Sequence, residues 1–316
     1  MFDNFDPKNI RVALLAGGKS NERPISLKSA EGAKEALEQV GYQVDQIDPA
    51  DNEQLKKLVD GKYDVAFLVL HGKGGEDGTI QGFLETIGLP YTGSGIWSCA
   101  TALDKTKAKF YYIKEGIPTP EALTVSLSDD YNLDDIVLEL GEKCAVKAAT
   151  EGSSIGVYIA KGKEAIGQAI KDALNIDKSV LIERYVAGNE YTVAVIDTDE
   201  GPEALPIIQI IPRAESYDFD SKYAPGGSEH ICPAELPEDK AKEMQEYAIR
   251  AHKCLECKGI SRNDFLMDEE GGLWILESNL LPGMTATSLV PDAAKAAGIP
   301  FPELCTTLIK EALSRG

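Results

Sequence analysis

The chain has 316 residues, 43% of them hydrophobic and 27% charged, with a formal net charge of −20. At ~100–200 residues per domain, this length suggests two or three globular domains with ordinary cores. The acidic balance argues against nucleic acid, which needs a basic footprint, and no apolar run approaches the ~20 residues that span a bilayer.

The start, MFDNFDPKN, has neither the basic flank nor the apolar core of a signal peptide, so a cytoplasmic location is expected. Residues 10–15 (IRVALL) read as a buried strand, and Ala16-Gly17-Gly18 turns into a helix from about Ser26. Val44–Ile47 follows as a strand. A second buried strand, Val65–Leu70, runs into the glycine-rich stretch 71–78, and Thr79 begins a helix. Strand–helix alternation predicts a parallel, doubly wound sheet, with ligands beyond the carboxyl ends of its strands. Both glycine-rich loops sit at such ends. Neither is a G-x-G-x-x-G or a P-loop, so a dinucleotide fold or a Walker ATPase has no support.

A helix through Asp104–Lys114 is broken by Gly116, Pro118 and Pro120. A strand ending at Lys147 then leads to the loop 150–156 (TEGSSIG) and a return strand, Val157–Ala160. The loop has the glycines and hydroxyls of a flap over phosphates, and it also reads as an ordinary hairpin connection. Strand Val180–Glu183 leads into a third region with strands at Glu190–Ile196 and Ile207–Ile211, a loop over Ser216–Glu235, and a helix. In that helix Ala241, Met244, Tyr247, Ala248, Ala251, Cys254 and Leu255 form one apolar stripe. Cys254-Leu-Glu-Cys257 invites a redox or zinc reading, but the stripe favours core cysteine, and the six cysteines show no disulfide framework.

Residues 263–279 (NDFLMDEEGGLWILESN) form a hairpin. With its turn centred between Glu270 and Gly271, Asp264 falls opposite Glu277 and Arg262 opposite Asn279, all on one face. Opposed Cβ atoms lie roughly 4.5–5.5 Å apart, so the two carboxylates repel unless a cation lies between them. The hairpin end is either a solvated Arg–Asp pair or an oxygen-ligand site of the kind Mg²⁺ takes. Pro282–Pro291 and an amphipathic helix close the chain.

Flap, interdomain strand and acidic hairpin together resemble the ATP-grasp superfamily, and the chain resembles the D-alanine–D-alanine ligases over nearly its whole length. The stretches that carry the resemblance are GGKSNERPISLKS (17–29), LHGKGGEDGTIQGFLETIGLPYTGSG (70–95), ALDKTKAK (102–109), EGSSIGV (151–157), SKYAPGGSEHICPA (221–234) and LPGMTATSLVP (281–291). The resemblance implies an α/β, three-domain ATP-grasp fold: a substrate-binding doubly wound domain at 1–101, a central domain with the flap at 102–186, and a C-terminal domain with the metal site at 187–316. ATP would lie between the central and C-terminal domains.

The reaction implied joins two D-alanines through an acylphosphate. Lys105 and Lys147 would meet the ATP phosphates under the flap, where Glu151, Gly152 and Ser154 approach. Glu183, Tyr185, Val186 and Glu190 would line adenine and ribose. Asp264, Glu277 and Asn279 would hold Mg²⁺ or Mn²⁺, two ions in all, with K⁺ as an activating ion. Arg262 and the Gly283 N–H would meet the anionic tetrahedral centre. Glu22 would receive the first D-alanine's ammonium, with His71 nearby. Ser153 and Tyr223 would close onto Glu22. Lys222, Ser288 and Leu289 would hold the second carboxylate. The partners implied are ATP, D-alanine and a second copy in a homodimer, with no nucleic acid and no membrane. Three departures stand out: Ala148 where the family has proline, which predicts a looser flap hinge; Pro24 where an acidic residue is usual; and Leu280-Leu281 where Thr-Ser is usual.

Overall fold

The computed structural model describes residues 5–153, 155–212, 227–285 and 288–315. In the first region β1 (Arg11–Leu15), α1 (Arg23–Val40), β2 (Gln43–Ile47), α2 (Asn52–Asp60) and β3 (Val65–Leu68) alternate, followed by α3 (Thr79–Thr86) and α4 (Ile96–Leu103). The strands pair in parallel in the order β2-β1-β3, as the alternation predicts. Helix α1 begins earlier than Ser26, at Arg23, with Pro24 inside its first turn. Proline is tolerated there because the first N–H groups have no partner within the helix.

The second region contains α5 (Lys105–Lys114), β4 (Ala122–Ser126), α6 (Leu133–Leu140), β5 (Lys143–Ala148), β6 (Val157–Lys161), α7 (Lys163–Leu174) and β7 (Ser179–Arg184). Its four strands form an antiparallel sheet in the order β4-β7-β5-β6. Asp104 caps α5 by accepting the Thr106 and Lys107 N–H groups at 3.0 and 3.3 Å. That cap fixes where Lys105 leaves the helix.

The third region contains β8 (Gly188–Thr198), β9 (Gly201–Ala204), β10 (Ile208–Pro212), β11 (Ser228–Ile231), α8 (Glu238–Cys254), β12 (Ile260–Asp268), β13 (Leu273–Asn279), α9 (Leu289–Ala296) and α10 (Phe301–Ser314). Its sheet runs β11-β10-β8-β12-β13, with β9 also on β8. Strand β11 lies in the stretch read from the sequence as loop, where polar Ser228 and Glu229 hide its pairing with β10. Met244, Ala248 and Ala251 of α8 are buried as their stripe predicts, and Leu255 just beyond is buried too. Cys254 is half-buried against the same core, and all six cysteines are free thiols.

The cores do not respect the three sheets. Cys99, Ala102 and Tyr112 of α4 and α5 pack with Tyr191, Val193 and Phe265 of the third sheet. Val12, Leu14 and Ala33 pack with Ile208, Leu304 and Leu308. Burial of this kind fixes α5 against the β12–β13 hairpin. Among the described residues, no helix is long and apolar enough to cross a membrane.

Candidate active site

The hairpin sets Arg262 opposite Asn279 and Asp264 opposite Glu277, in the register its turn predicts. Nearer the turn the register differs: Phe265 pairs with Ile275, because a bulge at Leu276 inserts one residue between the two halves. The bulge lets two consecutive residues, Leu276 and Glu277, both line the cleft. Cations already neutralise the crowded carboxylates. Arg262 grips Asp264 through two nitrogens at 3.0 and 2.9 Å, a fork that also fixes the carboxylate plane. Lys105 Nζ stands 3.3 Å from Glu277. Thr192 donates to Asp264 at 2.6 Å, and the Asn279 amide oxygen accepts the Leu281 N–H at 3.0 Å. Two carboxylates and an amide oxygen on one face suit a hard cation such as Mg²⁺.

The cleft between the second and third sheets is lined by Lys147, Glu183, Tyr185, Val186, Glu190 and Leu276 among others. At its floor Glu183 lies between Lys147 at 2.5 Å and Lys109 at 2.7 Å, and Glu183 is 1% exposed. Burial alone would raise the Glu183 pKa, but the two ammonium groups hold it below the ordinary carboxylate range. Burial opposes charge on Lys147, yet Glu183 more than offsets this and raises its pKa. On Lys109 burial wins and lowers it. Lys143 lies over the Tyr185 ring at 3.5 Å, which orients that ring at the cleft's edge.

The flap between β5 and β6 folds down onto the first region. The Ser153 hydroxyl donates to the Glu22 carboxylate, and Ser153 adopts φ 50° to reach it. That left-handed backbone is costly for a non-glycine residue, and such positions mark functional loops. Lys73 holds the Glu151 carboxylate at 2.5 Å, while Lys105 Nζ donates to the Glu151 carbonyl at 2.7 Å. Gly156 has φ 70°, and a Cβ on it would stand 2.8 Å from the Ala148 Cβ. At Ala148, where a looser hinge is expected, the N–H donates to the Gly156 carbonyl at 2.9 Å, a bond at the flap's base that proline could not make.

A second cavity opens beneath the flap, lined by Glu22, His71, Ser153, Arg262, Gly283, Ser288 and Leu289. Glu22 and His71 stand at the carboxyl ends of β1 and β3, where a parallel sheet presents ligands. His71 is buried, with Glu76 at 3.4 Å from Nδ1 and Ser29 at 3.5 Å from Nε2. Ser288 Oγ accepts the Thr285 N–H at 3.0 Å, and a Cβ on Gly283 would lie 2.8 Å from that oxygen. A larger residue there would displace the Ser288 hydroxyl. Ser154, Lys222 and Tyr223 lie outside the described residues. Lys105, Glu151 and Glu277 line both cavities, which meet at these three side chains.

Residues 112–310 match the family model described as D-ala D-ala ligase C-terminus, and residues 45–94 match D-ala D-ala ligase N-terminus. The chain belongs to the D-alanine–D-alanine ligase family. It is 45% identical over 313 residues to the D-alanine–D-alanine ligase of Desulforamulus reducens, covering 97% of this chain and 99% of the relative. The same enzyme of Halalkalibacterium halodurans is 40% identical, covering 97% and 100%. Among solved structures, the D-alanine–D-alanine ligase of Bacillus anthracis superposes with a TM-score of 0.85 at 32% identity, over 97% of this chain and 98% of that one. Its complex with ATP superposes at 0.84 and 30% identity, over the same shares.

Leu280 and Leu281, the pair expected to depart from the family, are both buried. Leu280 packs in the core with Tyr112 and also lines the cavity under the flap; Leu281 packs with the first region beside Gly93. Sequence reasoning missed Lys109, although it sits four residues after Lys105 on one helix face. It also missed Lys73, Lys28 and His230, of which the last two line the second cavity. Lys73 offered the one usable signal, a cation inside a glycine-rich loop.

Proposed function

We propose that this member of the ligase family joins two D-alanines to D-alanyl-D-alanine at the expense of ATP, for peptidoglycan precursors. The carboxylate of the first D-alanine attacks the γ-phosphorus, giving an acylphosphate and ADP. The amine of the second attacks that acyl carbon, and phosphate leaves. The observation that carries this reading is the meeting of the two cavities at Lys105, Glu151 and Glu277. A phosphoryl group bound in one cavity and a carboxylate in the other would face each other there. Phosphoryl transfer asks the protein for alignment and charge neutralisation more than for covalent help.

In this reading Lys105 and Lys147 neutralise the phosphates, and Glu151, Gly152 and Ser154 cover them. Tyr185, Val186 and Glu190 hold adenine and ribose, while Glu183 works from beneath by keeping Lys147 charged. Glu22 and His71 receive the first D-alanine, and Lys222, Ser288 and Leu289 the carboxylate of the second. Arg262 and the Gly283 N–H stabilise the oxyanion. Ser153 and Tyr223 hold the flap shut and keep water from the acylphosphate. Asp264, Glu277 and Asn279 are the residues that would hold Mg²⁺ or Mn²⁺, two ions in all, which supply charge neutralisation to the phosphates when bound. K⁺ activation, a cytoplasmic location and a homodimer complete the proposal. The exposed apolar side chains Trp97, Phe110 and Ile113 on α4 and α5 support the homodimer.

The test is product analysis. With ATP, Mg²⁺ and D-alanine, ADP and the dipeptide appear by mass spectrometry; with L-alanine neither does. D-alanyl-D-alanine remains the main product from about pH 6 to 9 even with D-lactate in excess, because ammonium steering and deprotonation suit an amine acceptor over a hydroxyl. Equal ADP release with both enantiomers would refute the placement of Glu22 and His71.

A further inference from the structure

The reverse face of the β12–β13 hairpin carries polar side chains where apolar ones would pack. Ser261, Asn263 and Ser278 alternate with Arg262, Asp264, Glu277 and Asn279, so they point into the core behind the cleft. All three are buried. Buried polar groups are costly unless they are partnered, and these form a chain. Tyr112 Oη donates to Ser278 Oγ at 2.8 Å, and Ser278 Oγ donates to Asn263 Oδ1 at 2.6 Å. Burial keeps the Tyr112 phenol protonated and able to donate. Asn263 Nδ2 donates to Ser261 Oγ at 3.2 Å and to the Val193 carbonyl at 3.4 Å. Ser261 Oγ lies 2.9 Å from His252 Nδ1, and His252 Nε2 lies 3.4 Å from Asp197 Oδ1.

A hydroxyl has one proton, and this decides the direction of the chain. Ser278 gives its proton to the Asn263 amide oxygen and so accepts from Tyr112, and the Asn263 amide in turn donates to Ser261. A single proton joins Ser261 Oγ to His252 Nδ1, and His252 Nε2 faces Asp197. The Asp197 carboxylate also accepts the Gly259 N–H at 2.7 Å. Each donor therefore points the same way from Tyr112 to Ser261. Tyr112 lies on α5 with Lys105 and Lys109, one helix face reaching both the cleft and the relay. At the other end, Gly259 abuts the first region: a Cβ on it would stand 3.5 Å from the Gly93 nitrogen.

We propose that this buried relay positions the oxygen ligands of the hairpin against α5, with Tyr112, Asn263 and His252 as positioning residues for the metal–nucleotide site. An apolar interface would let the hairpin settle at several offsets from α5. A network in which Tyr112, Ser278 and Asn263 have one arrangement of donors and acceptors admits one. The 3.3 Å separation of Lys105 from Glu277 is set through it. The proposal rests on the reading of Asp264, Glu277 and Asn279 as metal ligands.

The experiment measures Mn²⁺ binding, by the electron paramagnetic resonance of free Mn²⁺, in the presence of a non-hydrolysable ATP analogue. Tyr112→Phe keeps the ring and removes only the first donor. It should melt within a few degrees of the parent, yet bind Mn²⁺ more weakly, by about tenfold within the 10–100-fold range of outer-sphere substitutions. The metal concentration for half-maximal turnover should rise more than kcat falls. Nitrogen-15 spectra at pH 8 provide a second readout, since the chain has 3 histidines: the His252 ring resonances should move in Tyr112→Phe, because the two side chains are joined through Ser278, Asn263 and Ser261. Parental Mn²⁺ affinity in a folded Tyr112→Phe protein, or unmoved His252 resonances in it, would overturn the relay. A parent that takes up no Mn²⁺ would overturn the metal reading and this proposal with it, and the His252 signature tells that failure from a failure of the relay.

Discussion

Glu183 shows how a residue placed in the cleft by its sequence position acquires contacts that the sequence does not announce. Its position at the end of a buried strand suggests a cleft-lining group, and it does line the cleft, but its carboxylate is spent on Lys147 and Lys109. Glu183→Gln should leave two buried ammonium groups without a counter-charge, at a cost of about 3–5 kcal/mol. The sign of the pH dependence follows from the lowered pKa. The stabilisation is complete above the unfolded glutamate value near ~4.3 and fades as pH falls through the lower folded value. Urea midpoints of parent and variant should therefore differ most near neutrality and converge in acid. A constant difference across that range would mean that shape, not charge, is what the substitution disturbs.

At the scale of elements, the flap and the hairpin divide the work differently. The hairpin is rigid: its register, its bulge and the buried side chains behind it all fix one geometry. The flap is held by side chains of other elements, Glu22 on Ser153 and Lys73 and Lys105 on Glu151, and its base by the Ala148–Gly156 hydrogen bond. Ala148→Pro removes that bond, worth roughly 0.5–1.5 kcal/mol. Limited proteolysis without ligand should then cut within 149–156 faster than in the parent. Slower cutting would mean that the stiffness of the proline ring outweighs the lost bond. The flap's glycines were legible in the sequence. The tie at Ala148 was not, because an alanine N–H has no partner until β5 and β6 are paired.

For the whole molecule, the C-terminal helix is a structural member of the first region as much as of the third. Leu304, Leu308 and Ile309 of α10 are buried in the same core as Val12 and Leu14. Each contributes roughly 1.5–3 kcal/mol by burial, against about 5–15 kcal/mol for a typical whole domain. A chain ending at Ile299 should lose cooperative thermal unfolding and bind apolar dyes. A sharp melting transition in the shortened protein would show instead that the first region holds its core without α10.

Local order was written in the sequence itself. Alternating strands and helices gave the parallel sheet, because side-chain periodicity reports which face is buried. The turn at residues 269–272 brought Asp264 opposite Glu277, because strand pairing propagates register from a turn. Glycine-rich stretches marked the loops that line the cavity under the flap. Tertiary structure alone decided what requires distant segments to meet. It joined Lys73 to Glu151, Lys109 to Glu183 and Tyr112 to Ser278, and it inserted the bulge at Leu276. A charged or polar side chain carries no mark of its partner along the chain. The partner is chosen only when burial removes water and leaves one group within reach to replace it.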